Sequence, residues 1–250
     1  MLRAYAQSTL FGERYGDGPV EVLWLHGWAR AARDFEEVAG VLAARGVSSV
    51  ALDLPGFGAS PPPRNSGGAR HYAQLIYPAL EELSLEPLVI VGHSLGGRVA
   101  TVVAARWPTR VRALVLTGVP LRRSAPIAPP PWRFRAARTL HRRGLISEER
   151  MESTRQRYGS PDYRNARGVV RDVLVAMVAE SYGSELAALE SPVSFVWGER
   201  DEVVPLDVAR WAQSTVPGPS SLVTLEGVGH FVPTEAPDAL AELVARLVRS

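Results

Sequence analysis

The chain has 250 residues, 46% of them hydrophobic and 22% charged, which suits one globular domain with a large core and room for an inserted subdomain. It contains no cysteine, which excludes disulfides, thiolate catalysis and cysteine-ligated metals. The net charge is only +2, no stretch approaches ~20 uninterrupted apolar residues, and Met1–Gln7 lacks the apolar run of a secretory signal. The expectation is a cytoplasmic protein with no membrane span.

Valine- and leucine-rich runs alternate with helical patterns. Strands are predicted at Val20–Leu25 and Val47–Leu52, with a helix between them from Asp34 to Arg45 that Gly46 stops. A helix is predicted from Ala69 to Leu83, kinked or broken at Pro78. Strand Leu88–Val91 leads into helix Leu95–Trp107, and strand Val111–Leu116 follows. The rhythm then breaks: prolines crowd Pro120 to Pro131, and three polar helical stretches follow at Trp132–Arg143, Ser147–Tyr158 and Gly168–Ser181. Ser147 followed by Glu148 and Glu149 has the character of a helix start. Strands return at Val193–Trp197 and Ser221–Leu225, with helices at Leu206–Thr215 and Thr234–Val248.

This alternation predicts an α/β fold: a mostly parallel central sheet with helices on both faces. Residues 119–183 read as a helical cap inserted into a core formed by 1–118 and 184–250. Ligands in such folds bind beyond the C-terminal ends of the strands, where the candidate residues fall.

Gly92-His93-Ser94-Leu95-Gly96 lies between the strand at 88–91 and the next helix, the context in which G-x-S-x-G marks a nucleophile elbow. The glycines allow a turn too tight for side chains, and the turn lifts the Ser94 hydroxyl off the strand end. By composition alone this pattern arises about 0.1 times in a chain of this length, so its partners carry the weight. A serine nucleophile needs a base, and the base needs an orienting acid. His230, in the glycine-flanked loop after the last strand, is the candidate base. His26 is read as fixing its own loop, His93 lies inside the elbow, and His71 and His141 sit in polar helical segments, expected to be solvated. The acid belongs between serine and base in chain order; Glu199, Asp201 and Glu202 all follow the strand at 193–197, and charge alone does not separate them. Oxyanion donors are expected from the backbone N–H groups of Leu95 and of Trp28 in His26-Gly27-Trp28. The Trp28 indole is also a candidate wall of an acyl pocket. In the cap, Trp132, Phe134, Tyr158, Tyr163 and Tyr182 are candidate substrate-facing aromatics, though most such residues simply pack a core.

His26-Gly27-Trp28, Asp53-Leu54-Pro55-Gly56-Phe57-Gly58-Ala59-Ser60, the Ser94 elbow, Gly198-Glu199-Arg200-Asp201 and Gly229-His230 together resemble the α/β-hydrolase superfamily, and within it the capped serine hydrolases, over about residues 20–248. The resemblance implies Ser94 as nucleophile, Asp201 as acid and His230 as base, with no cofactor, no metal and no catalytic role for Asp53. It implies hydrolysis of a small-molecule carboxylic ester. Serine at 94 argues against the dehalogenases and epoxide hydrolases that use aspartate. Hydrolases of carbon–carbon bonds in ring-cleavage products stay open, although they often carry tryptophan where Phe231 stands. An acyltransferase or perhydrolase would use the same residues, and a non-catalytic sensor would keep the fold without turnover.

All 28 basic residues are arginine, and residues 119–183 hold 13 of them against 6 acids, a formal +7. A weaker resemblance, in His26-Gly27-Trp28 and Asp53 to Gly58, to the esterases that demethylate pimeloyl acyl carrier protein implies an acidic carrier docking on this basic cap. The other reading is a solvated arginine-rich surface. No nucleic-acid motif accompanies the arginines, and the rest of the chain is net acidic, so a nucleic-acid partner is not expected.

Overall fold

The computed structural model describes residues 2–122, 131–158 and 160–249. Eight strands form one sheet: β1 (Leu2–Tyr5), β2 (Leu10–Tyr15), β3 (Val20–Leu25), β4 (Ser48–Asp53), β5 (Leu88–His93), β6 (Val111–Thr117), β7 (Val193–Gly198) and β8 (Ser220–Leu225). Their spatial order is β1-β2-β4-β3-β5-β6-β7-β8. β1 and β2 pair antiparallel, as do β2 and β4; every other pairing is parallel. The predicted α/β architecture is therefore present, extended by an antiparallel hairpin that the sequence reading did not contain.

Side chains alternate between the two faces, as the strand period requires. Leu23, Leu25, Ile90, Leu114, Phe195 and Trp197 point to one face, which is covered by α2 (Ala69–Leu83), α3 (Leu95–Arg106), α8 (Gly183–Ala187) and α9 (Leu206–Thr215). Val22, Trp24, Val89, Val91, Val115 and Val196 point to the other, under α1 (Glu36–Ala44) and α11 (Pro237–Arg249). Both faces are dry, which is why the parallel strands read as continuous apolar runs.

Several boundaries differ from expectation. A 3-10 turn at Ala32–Phe35 precedes α1. α2 runs unbroken through Pro78, contrary to the predicted break; Gln74 and Pro78 both face solvent, where the carbonyl that loses its helical partner can be hydrated. The last predicted helix is two, α10 (Val232–Glu235) and α11, parted at Ala236 (φ −144°, ψ 55°).

Between β6 and β7 lie α4 (Trp132–Arg142), α5 (Glu148–Tyr158), α6 (Pro161–Asn165) and α7 (Gly168–Ala179), followed by α8. The three long ones match the predicted stretches; α6 and α8, five residues each, were not anticipated. Ser147 caps α5 as expected, its hydroxyl accepting from Arg150 N at 3.3 Å. Most of the predicted proline-rich stretch, 123–130, lies outside the described residues. Among the described residues no helix is long and apolar enough to cross a membrane.

Candidate active site

Parallel register brings the strand ends to one edge of the sheet. Leu25 sits opposite Gly92, His93 opposite Thr117, Thr117 opposite Val196 and Gly198 opposite Leu225. The chain leaves these ends through His26, Ser94, Gly118, Asp201 and His230, so residues far apart in sequence converge there. β3 has β4 on one side and β5 on the other, which makes its end the point where the strand order reverses.

Ser94 has φ 50° and ψ −110°, a region that costs a non-glycine residue ~1–3 kcal/mol. Its surroundings hold it there. Ser94 N donates to Thr117 O at 2.9 Å, and Gly96 N donates to His26 O at 2.9 Å. The flanking glycines are sterically obligatory: a methyl on Gly92 would lie 2.5 Å from Gly97 Cα, and one on Gly96 would overlap the Leu25 carbonyl. Gly27 lets the preceding loop close in, its Cβ position lying 3.4 Å from Ser94 Cβ. The N–H groups of Trp28 and Leu95 find no acceptor among the described residues. Both donors are therefore free to bind a ligand. The Trp28 ring is half-buried and packs edge-on against Phe57 at 5.0 Å.

Of the three acids after β7, Asp201 is the one beside His230. Its Oδ1 accepts from Val203 N at 2.9 Å and Val204 N at 2.8 Å, and its Oδ2 accepts from His230 Nδ1 at 2.9 Å. Glu199 instead accepts from Gly227 N at 3.4 Å, and Glu202 is exposed. Both members of the Asp201–His230 pair are buried. Because a carboxylate only accepts, His230 Nδ1 is the donor in this pair. Among the described residues the Ser94 hydroxyl has no hydrogen-bond partner, His230 included. The His230 ring lies over the elbow all the same: its centroid is 4.9 Å from that of His93, and a methyl on Gly118 would come within 2.9 Å of its Cε1.

A residue that the sequence reading missed fixes this loop. Glu235 accepts from Gly229 N at 2.6 Å through one oxygen and from Phe231 N at 2.9 Å through the other. The two peptides that flank His230 are thus clamped by one carboxylate. Phe231 packs on His230 at 5.1 Å and lies under the Arg30 guanidinium, which also pairs with Asp34 at 2.5 Å.

The other histidines have separate roles. Buried His26 donates from Nδ1 to Gly27 O at 2.7 Å and accepts Leu54 N at Nε2 at 2.9 Å, so both ring nitrogens are spent on holding its loop. Burial pushes its pKa down. His93 donates from Nδ1 toward Thr117 O at 3.1 Å, while its buried Nε2 has no partner among the described residues. Burial, then the nearby His230, pushes His93 down to about 3. His141, expected to be solvated, is half-buried and pairs with Glu148 at 2.7 Å. Asp53 is structural as implied: its oxygens accept Ala32 N at 2.7 Å and Ala59 N at 2.8 Å. Of the candidate aromatics, Phe134 and Tyr158 pack on each other, Tyr163 lies under Arg171, Tyr182 is buried against Glu180, and Trp132 is exposed. Among the described residues no cluster of His, Asp and Glu could hold a metal ion.

The model of the alpha/beta hydrolase family matches residues 22–243. This chain belongs to that family. An uncharacterised hydrolase of Bacillus subtilis, YugF, is 27% identical over 96% of this chain and 94% of its own length. The 2-hydroxy-6-oxononadienedioate/2-hydroxy-6-oxononatrienedioate hydrolase of Escherichia coli K12 is 25% identical over 92% of this chain and 87% of its own. Two solved structures share the fold. The thioesterase domain from a curacin biosynthetic pathway has a TM-score of 0.74 at 23% identity, over 98% of both chains. An esterase of Exiguobacterium antarcticum has a TM-score of 0.75 at 19% identity, over 100% of this chain and 99% of its own. The chain is a hydrolase by family.

Proposed function

We propose that the protein is a serine hydrolase that cleaves a carboxylic ester through an acyl-enzyme, with residues 119–183 acting as a cap over the site. The observation that carries this reading is the Asp201–His230 hydrogen bond beside the strained Ser94 turn. It leaves the Nε2 lone pair as the base at the edge where the serine stands.

In this mechanism His230 Nε2 takes the Ser94 proton as Oγ attacks the ester carbonyl, and the C=O electron pair moves onto oxygen. The N–H groups of Trp28 and Leu95 bind that oxyanion, a contribution of several kcal/mol for a preorganised pair of donors. The imidazolium, stabilised by Asp201, then protonates the departing alcohol. Water, deprotonated by His230, attacks the acyl-enzyme, and collapse of the second tetrahedral intermediate returns the proton to Ser94. The missing Ser94–His230 hydrogen bond is compatible with this scheme, because such bonds commonly tighten only when substrate is bound.

A second reading is favoured by the Escherichia coli relative, whose name specifies a dienedioate substrate. Here the same residues would hydrolyse a carbon–carbon bond of a 2-hydroxy-6-oxo dienoate. The deciding experiment offers the purified protein a panel of p-nitrophenyl esters of graded acyl length beside a 2-hydroxy-6-oxo dienoate. The ester reading expects turnover of at least one ester, with Ser94→Ala losing it. Turnover of the dienoate alone replaces it with carbon–carbon cleavage, and transfer of the acyl group to an added alcohol or peroxide in preference to water replaces it with an acyltransferase or perhydrolase.

A further inference from the structure

The charge of the insertion is concentrated on one helix. Residues 131–145 hold five arginines and no acid. None of these arginines, Arg133, Arg135, Arg138, Arg142 and Arg143, forms an ion pair among the described residues. The neighbouring ion network, His141–Glu148–Arg155–Glu152–Arg171, uses none of them. Five guanidinium groups therefore crowd one short segment without a counter-charge.

The same helix leaves an apolar line uncovered. α4 buries Phe134 inward against Tyr158. On its outer side Trp132, Ala136 and Leu140 follow i, i+4, i+8 spacing and so share one face, about 12 Å long. Trp132 is 72% exposed and Leu140 40%, and Leu145, just past the helix, is 66% exposed. Trp132, Arg135, Ala136, Thr139 and Leu140 line a surface cleft of about 470 Å³. Arginines at 135 and 142 flank one side of this line and Arg133 the other. An apolar stripe edged by cations, with an aromatic at one end, is the pattern of a helix lying in a lipid–water interface.

We infer that α4 docks this protein on an anionic lipid surface, with Trp132, Leu140 and Leu145 entering the headgroup–acyl boundary and the arginines binding lipid phosphates. Charge complementarity selects an anionic surface over a zwitterionic one, since each arginine near such a membrane adds about fivefold to binding. The long apolar line favours a lipid plane over an acidic protein, which would use the arginines alone. The inference does not depend on which bond the site cleaves.

The test is co-sedimentation of the full chain with phosphatidylcholine–phosphatidylglycerol vesicles and with phosphatidylcholine vesicles, at low and high salt. Binding is expected to the anionic vesicles, to weaken with salt, and to fall about fivefold for each of Arg135→Gln and Arg142→Gln. The double variant Trp132→Ser/Leu140→Ser, with an unchanged thermal melt, should lose at least as much. Failure of the wild type to bind anionic vesicles at low salt overturns the inference, as does equal partition to both vesicle types. Equal binding by the double variant and the wild type, with polyglutamate displacing both alike, overturns it in favour of an acidic protein partner.

Discussion

The strand ends around Ser94 and the helices between β6 and β7 use polar groups in opposite ways. At the strand ends many polar groups are committed to the fold: Ser94 N and Gly96 N are bonded to backbone carbonyls, His26 spends both nitrogens on its loop, and Asp201 accepts three times. Among the groups left unbonded there are the N–H groups of Trp28 and Leu95, the Ser94 hydroxyl and His93 Nε2. In the helical segment, α5 and α7 are tied by a partly buried ion network, while the α4 arginines stand exposed with no ion pair among the described residues. A rigid, over-determined frame leaves a few polar groups unbonded; a charged, loosely held surface suits recognition, where small displacements matter little.

The largest expected effect separates the two regions by sterics. Gly96→Ala drives a methyl into the Leu25 backbone, which a packed strand cannot vacate, and should cost ~3 kcal/mol or more. Gly144→Ala, at φ 72° with open space around it, should cost only ~1 kcal/mol. Urea unfolding of the two variants gives the comparison directly, and equal midpoints would contradict the rigidity claimed for the elbow.

Two carboxylate clamps sharpen the contrast next. Glu235 holds the backbone on either side of His230, whereas Glu152 holds Arg171 through two 2.8 Å bonds among the helices between β6 and β7. Glu235→Gln turns an amide N–H toward one of the backbone donors. It should lower kcat about tenfold or more with little change in KM, and Glu235→Asp should restore part of the loss. Glu152→Gln should leave kcat on a small soluble ester near wild type and lower the melting temperature instead. A kcat unchanged in Glu235→Gln would remove it as a positioning residue.

The smallest effect is in acid, where the regions respond in different windows. His93 falls from 6.5 to about 3 on folding, so the native state binds fewer protons than the unfolded chain between those values. Its stabilisation is complete above about pH 6.5 and is lost as pH falls toward 3, at ~1.4 kcal/mol per pH unit. Glu152, held at about 2 chiefly by Arg171, contributes stability present above 4.5 and lost as pH falls toward 2. Melts recorded between pH 7 and 3 should show a shallower slope in His93→Gln than in wild type; identical slopes would mean that His93 is not held neutral.

Much of this was legible in the sequence because the decisive signals are local. The glycines at 92 and 96 announced a turn whose close contacts require them, and the apolar runs announced strands buried on both faces. The β1–β2 hairpin was silent for a physical reason: Ala6, Gln7 and Ser8 all have positive φ, with no glycine or asparagine to mark the turn. The five-residue helices α6 and α8 are too short to show a helical period. Glu235 was invisible because its function lies in a backbone contact that folding creates. Asp201 was favoured over Glu199 and Glu202 by resemblance alone, because its hydrogen bond to His230 is a contact that only folding creates.

The most direct test of the account is fluorophosphonate labelling of the native protein, read by peptide mass spectrometry. A single adduct on Ser94 is predicted, absent in Ser94→Ala and strongly slowed in His230→Asn, with both variants folded. A native protein that takes no label, or a Ser94→Ala variant that still takes it, would contradict the serine mechanism.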